Sequence, residues 1–267
     1  MTTIFQHSFF RWRGQVLGWG ISLALLGVFL VQFYDTLAGQ QAQYNQLLQG
    51  LPPELMAFFG SNQDLFSPSG YLNIEFFSYM PIILGIFAIL AGSGLLASDE
   101  ENGTLDLVLA HPISRAALYW GRFLAYALAS LAILAITWLG FVLSEGGTSM
   151  GVPWGGLGLP FLSLFSVLMF FGSLAALLSM LLPSRSLAAM LSGALLVASY
   201  FITSMANVNS SLEQVSKFSP LTYYQGGDAI QQMNWGWFAG LLGIAFLLTL
   251  LGWWRFERRD IRVGGEG

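Results

Sequence analysis

Residues 123–144 read FLAYALASLAILAITWLGFVLS, a run without a single charged side chain, fenced by Arg122 on one side and Glu145 on the other. A helix rises about 1.5 Å per residue, so about 20 apolar residues match a hydrocarbon core of about 30 Å. Lipid offers the backbone no water, which leaves helices and closed barrels as the only spanning solutions. Barrel strands would need alternating segments of about ten residues, whereas this run is continuously apolar. The stretch reads as a transmembrane helix.

Five further charge-free gaps repeat the pattern: Arg13 to Asp35, Glu75 to Asp99, Glu145 to Arg185, Arg185 to Glu213 and Asp228 to Arg255. The apolar runs fall at 15–34, 76–97, 122–143, 159–182, 187–206 and 235–254. The expected fold is an all-α integral membrane protein with six transmembrane helices in a single domain over residues 1–267. A cleaved signal peptide ending near Thr36 and Ala38 is the alternative for the first run. Its apolar part, Val16 to Phe33, exceeds the usual signal core of about 7–15 residues, so it is taken as a true span.

Composition agrees. Of 267 residues, 55% are hydrophobic and only 9% charged, against about 25% charged in a soluble domain. A mean hydropathy of +0.65 excludes a soluble enzyme. The net charge of −4 gives no electrostatic reason to expect nucleic acid as a partner. Absence of cysteine removes disulfides, thiolate metal sites and cysteine nucleophiles.

Arginine distribution sets the sidedness. With six spans the termini share a side, which then carries Arg11, Arg13, Arg115, Arg122, Arg185, Arg255, Arg258, Arg259 and Arg262. The opposite side carries Lys217 alone. The positive-inside rule makes both termini cytoplasmic. Segments 35–75, 144–158 and 207–234 then lie outside, and 98–119 and 183–186 inside. GQQAQYNQLLQG (39–50) reads as a polar external helix or loop, and LPPELMAFFG (51–60) could lie in the interface on Phe58 and Phe59.

Apart from Arg122 at the very edge of the third run, the spans contain no Asp, Glu, Lys, Arg or His. Gradient-driven pumps usually hold ionisable groups at membrane depth. The one lysine, Lys217, sits in SKF, so no Gly-Lys-Ser/Thr phosphate loop exists. Neither His7 nor His111 lies in a span, and no metal-ligand cluster or protease signature occurs. Energised work must draw on another chain.

Small residues spaced by four, Gly14/Gly18, Gly172/Ala176 and Gly236/Gly240, allow close helix approach, either within one bundle or at a dimer seam. Trp19 and Trp138, deep in their spans, face either the core and lipid or a substrate path.

The sharpest local signal is SDEENGTLDLVLAHPISRAALYWGRF, residues 98–123. Asp99, Glu100 and Glu101 form an acidic cluster, and Asn102, Gly103 and Thr104 offer turn and capping chemistry. A short helix through Leu105, Asp106, Val108 and Leu109 is stopped by Pro112, and Ser114 caps the next helix. Full burial of Leu105, Val108 and Leu109 is worth about 1.5–3 kcal/mol each. That stripe folds onto the inner ends of the protein's own helices or docks into a groove on a cytosolic partner.

The segment resembles the E-E-x-G-T-L…P-[IV]-S-R signature of type-two ABC export permeases, the membrane halves of ATP-driven exporters. Glu100, Glu101, Gly103, Thr104, Leu105, Pro112, Ile113, Ser114 and Arg115 match in order, with Asn102 at the variable position. The basic N-terminus, the six spans and Ser219-Pro220 before the last span fit the same layout. The resemblance implies that the loop forms a coupling helix seated in a separate ATP-binding subunit. Its coupling residues would be Asp99, Glu100, Glu101, Gly103, Thr104, Leu105, Val108, Leu109, Pro112, Ser114 and Arg115.

The resemblance further implies an interfacial N-terminal helix over residues 1–13 and a second coupling turn at Pro183, Ser184 and Arg185. Short re-entrant helices within 207–234 would close an outer gate, with Phe218, Ser219, Pro220 and Tyr223 as candidates. The expected function is the permease subunit of an ATP-driven exporter, multi-pass in the plasma (inner) membrane. ATP and Mg would bind the ATPase partner, with no cofactor on this chain, and the permease would act as a homodimer or with a related chain. The rival readings are a passive channel or gradient-driven carrier, and a membrane scaffold that recruits a cytosolic protein.

Overall fold

The structure is a computed structural model that describes residues 2–39, 66–110, 113–206 and 209–259. Segments 40–65 and 260–267, and with them most of the Gln-rich stretch, all of 51–60 and Arg262, lie outside the described residues, as do His111 and Pro112. The long helices are α1 (Thr2–Ala38), α3 (Met80–Ser93), α6 (Arg115–Glu145), α7 (Trp154–Leu181), α8 (Arg185–Ala206) and α10 (Trp235–Arg258). Short helices α2 (Pro68–Leu72), α4 (Ala97–Glu101), α5 (Leu105–Leu109) and α9 (Ser210–Ser216) connect them. No strand occurs among the described residues.

Five of these helices are long and apolar enough to cross a membrane, and the sixth candidate is a bent pair. The expected straight span at 76–97 is broken at both ends. Before it, α2 runs into a π-helical turn, Asn73–Phe77, which meets α3 at a 42° bend. Pro81, in the first turn of α3, lacks an N–H and would collide with the carbonyl four residues back in a continuous helix, so the chain turns here. After it, Gly94 ends α3 and α4 begins at Ala97. Fourteen residues of α3 rise only about 21 Å, short of a hydrocarbon core of about 30 Å. Crossing requires the bent segment as well.

The N-terminus also differs from expectation. The resemblance implies an interfacial helix over residues 1–13 ahead of the 15–34 span, yet α1 is uninterrupted from Thr2 to Ala38. Its first turns pack along the start of α6, close enough that a Cβ on Gly121 would lie 3.1 Å from Ile4 Cγ2. With no proline inside, nothing forces a break at Gly14. At 37 residues α1 is about 55 Å long and overruns any bilayer core.

Helix α7 forms the centre of the bundle: its most apolar window is 67% buried, against 22% for α8 and α10. Helices α3, α6, α8 and α10 all pack against it, while α1 lies along α6. The tightest crossing is glycine against glycine. A Cβ on Gly92 of α3 would fall 2.1 Å from the Gly172 carbonyl oxygen, and one on Gly172 would fall 2.1 Å from the Tyr126 hydroxyl. Gly172 and Ala176 thus serve packing within the bundle. Gly14, Gly18 and Gly240 instead face open space.

Buried hydroxyls find carbonyls, as a dry interior demands. Tyr126 donates to Leu168 O at 2.6 Å and Tyr119 to Thr249 O at 3.0 Å. Toward the other end, Phe76, Phe77, Phe141 and Phe161 form one aromatic cluster, with Phe76 and Phe141 centroids 4.9 Å apart. This cluster fastens the bent segment to α6 and α7.

Candidate functional site

The loop after α3, residues 97–115, is built around three consecutive carboxylates, and four helices reach them. Asp99 is buried and forms an ion pair with Arg122 of α6, while Arg11 of α1 stands 3.6 Å from its other oxygen. Glu100 is buried and paired with Arg259, the residue directly after α10. Exposed Glu101 accepts the backbone N–H of Arg185, the first residue of α8, at 2.8 Å. The cluster expected to face a partner therefore binds its own chain through Asp99 and Glu100.

The turn that follows is fixed locally. Gly103 has φ +65°, a left-handed conformation that favours glycine. Thr104 does not cap α5 with its side chain; its N–H and hydroxyl both donate to the Asp99 carbonyl, at 2.8 and 3.2 Å. Ser114 does cap α6, accepting from Ala117 N at 3.2 Å. Arg115 reaches the end of α10, where its Nη1 donates to the carbonyls of Phe256 (3.1 Å) and Arg259 (2.6 Å). Those terminal carbonyls have no partner within their own helix, and a cation there also meets the negative end of the helix dipole.

The apolar stripe of α5 turns inward. Leu105 is 2% exposed and Val108 and Leu109 are half-buried, so the stripe rests on the protein's own helices. Asp106 and Leu107 point out, Leu107 at 67% exposure. Periodicity placed Leu105, Val108 and Leu109 on one face but could not say which face met the bundle. Pro112 lies outside the described residues.

The second inner turn, Pro183-Ser184-Arg185, adjoins the first. Ser184 accepts from Leu187 N at 3.2 Å and caps α8, and Arg185 Nη2 donates to Leu90 O at 3.2 Å. Pro183 leads into that cap. Between the N-terminal half of α1, α3 and this double turn opens a cleft of roughly 1620 Å³. Arg11, Arg122, Arg185 and Asp99 line its polar end, Ile86 and Leu90 its apolar wall, and Trp19 also faces it. Trp138 instead donates to Trp154 O at 3.3 Å.

At the other end, residues 209–234 fold as α9 and two 3₁₀ turns, Pro220–Tyr223 and Gly226–Ile230. Ser219 is buried, with its Oγ 2.8 Å from Thr203 Oγ1 and 3.2 Å from Ser199 O. Pro220 opens the first turn, and Tyr223 donates to Lys217 O at 2.8 Å and packs edge-on against Trp237. Phe218 is 90% exposed and holds nothing in place.

Further contacts that hold this segment come from residues the sequence did not single out. Asn73 Oδ1 accepts Gly227 N at 2.8 Å, Ser163 Oγ accepts Gln225 N at 3.0 Å, and Gln231 Nε2 donates to Ser69 Oγ at 2.9 Å. Tyr224 donates to Phe77 O at 3.0 Å, and burial raises its hydroxyl well above its ordinary value, so it remains a neutral donor. Gly227 has to be glycine, because a Cβ would lie 2.5 Å from both Asn73 Cβ and the Ser69 carbonyl. The one available signal was an isolated Asn and Glu at 73–75 just ahead of an apolar run.

Among the described residues no group of His, Cys, Asp or Glu could hold a metal ion. A family model described as "ABC-2 family transporter protein" matches residues 3–261. No curated protein gives a significant match.

Proposed function

The chain belongs to the ABC-2 transporter family of multi-pass membrane permeases, and from that premise we propose that it is the membrane half of an ATP-driven exporter. Such permeases act with ATPase subunits. In this reading the ATPase docks on the side bearing the arginines and residues 97–115, which is the cytoplasmic side by the positive-inside rule. The membrane is the plasma (inner) membrane, and two copies or one copy with a related permease flank the path.

The observation that carries the reading is the convergence on Asp99, Glu100 and Glu101 of Arg122, Arg259 and the Arg185 amide, with Arg11 alongside. A displacement of the inner loop is thereby passed to α1, α6, α8 and α10 together. The outward α5 surface at Asp106 and Leu107, with the Pro183–Arg185 turn beside it, is the docking surface. Asp99, Glu100, Thr104, Leu105, Ser114 and Arg115 hold that surface on the spans and transmit its motion. On the opposite side, the 218–231 segment is the outer gate, latched through Asn73, Ser163 and Gln225.

The deciding experiment reconstitutes the chain with its ATPase in liposomes and follows export. Replacing the ATPase's phosphate-binding lysine is expected to abolish transport, whereas a proton ionophore is expected to leave it intact. Loss with the ionophore alone would overturn the proposal.

A further inference from the structure

The cleft beside residues 97–115 has a net positive lining. Three guanidiniums, Arg11, Arg122 and Arg185, line it against one carboxylate, Asp99. Asp99 is already satisfied by Arg122, which also donates to Leu95 O at 2.8 Å. Arg11 stands 3.6 Å from Asp99, beyond hydrogen-bond range, and its side chain is 66% exposed. Among the described residues this long ion pair is its one polar contact, so the guanidinium keeps donors for a ligand in the cleft.

The neighbouring wall is apolar. Ile86 and Leu90 of α3 are 53% and 50% exposed, on the longer arm of the bent candidate span. Arg185 bonds the Leu90 carbonyl, so the cationic end of the cleft begins where the apolar wall stops. Cationic groups at the rim of an apolar membrane surface lie at headgroup depth. The cleft, at roughly 1620 Å³, exceeds the about 300–1,000 Å³ of drug-sized sites. A guanidinium fork matches a phosphate oxygen pair in geometry and charge.

We propose that this cleft is a binding site for an anionic membrane phospholipid, with its headgroup phosphate on Arg11 and its acyl chains along Ile86 and Leu90. The site goes beyond the coupling role and does not depend on the direction of transport. Lipid occupancy would brace the first turns of α1 against the inner loop, replacing the distant Asp99 as the partner of Arg11.

The test uses the full chain purified in detergent, titrated with phosphatidylglycerol or with phosphatidylcholine of identical acyl chains and read by native mass spectrometry. Wild type is expected to bind phosphatidylglycerol at least about tenfold more tightly, because phosphatidylcholine offers the same phosphate but adds a choline cation that the guanidiniums of Arg11, Arg122 and Arg185 repel. Arg11→Gln is expected to remove that preference, and its exposure keeps the fold out of question. Arg258→Gln, which alters an arginine stacked on Trp254 away from the cleft, is expected to keep it. Millimolar inorganic phosphate is expected to leave the lipid bound.

Equal affinity for the two lipids, or an equal loss in both arginine variants, would overturn the site. Displacement by inorganic phosphate would make it a free-anion site and overturn the lipid assignment. No ATPase is present, so failure here leaves the exporter reading standing, and failure of ATP-driven export leaves the lipid result standing.

Discussion

Arg259 and Glu100, 159 positions apart in the chain, meet as a buried ion pair that joins the end of the last span to the inner loop. The same guanidinium donates to Met180 O at 3.1 Å, so it also holds the end of α7. Removing one member of a buried pair leaves the other charge without compensation, at a cost of about 3–5 kcal/mol. Glu100→Gln and Arg259→Gln are each expected to lower thermal stability in detergent strongly. The double variant is expected to recover part of the loss. Additive losses in a double-mutant cycle would show that the pair does not couple.

Leu105 and Leu107 separate packing from docking. Leu105 is 2% exposed, so Leu105→Ala should cost about 2–5 kcal/mol of stability wherever it is measured. Leu107 is 67% exposed, so Leu107→Asp should leave the melting temperature of the purified permease unchanged. It should nonetheless reduce co-purification of the ATPase. Full ATPase binding and export by Leu107→Asp would remove α5 from the docking surface.

The six apolar runs were legible because charge-free length is a property of each segment alone. The bend at 73–80 was not, although Pro81 was in view, because its geometry is held by Asn73 reaching Gly227 far along the chain. Arginine counting named a side that the labelling experiment below tests, but no partner, since it carries no information about which carboxylate a guanidinium meets. Likewise Ser114 was readable as a cap from its position, whereas the Thr104 hydroxyl turned back to Asp99 because Gly103 reversed the chain first. The Ser114 cap was a signal confined to one turn of backbone, whereas the Thr104 hydroxyl and the contacts between elements had to be seen.

Gly92 and Gly18 test which close approaches lie within the chain. Gly92→Ala would press a methyl group against the Gly172 backbone, which cannot yield as a side-chain tip can. Overpacking of this kind costs about 1–3 kcal/mol. Gly18→Ala meets nothing within 4 Å and is expected to be neutral in the isolated chain. Monodispersity and melting temperature of the two variants in mild detergent distinguish them; equal behaviour would contradict the α3–α7 crossing.

Asn73→Leu removes the acceptor of Gly227 N in a buried turn, and an unsatisfied buried donor costs about 1–3 kcal/mol. The expected result is a loosened outer segment rather than an unfolded protein, because the Phe76–Phe141–Phe161 cluster still holds the bend. Hydrogen exchange at Gly226–Ile230 should quicken by about tenfold or more, the ratio that about 1.4 kcal/mol sets. Unchanged exchange there would show that Asn73 does not latch the segment.

Absence of cysteine makes the topology directly measurable, because any introduced thiol is the only one in the chain. Asn102 is exposed at the inner loop, and Phe218 is 90% exposed before the first 3₁₀ turn. Neither side chain carries packing that a cysteine would disturb. Six crossings would put nine arginines on the side of Asn102 with only Lys217 opposite, so Phe218→Cys in intact cells is expected to react with a membrane-impermeant maleimide. Asn102→Cys should react only after the membrane is opened. Six crossings also require the bent pair 68–93 to cross once, since among the described residues it is the one candidate crossing between α1 and residues 97–101. If that pair were re-entrant and returned to its starting side, five crossings would remain and the two termini would lie on opposite sides. A cysteine placed at Gln6 on exposed helix surface then decides the matter: protection matching Asn102→Cys supports six crossings, and reactivity matching Phe218→Cys supports five.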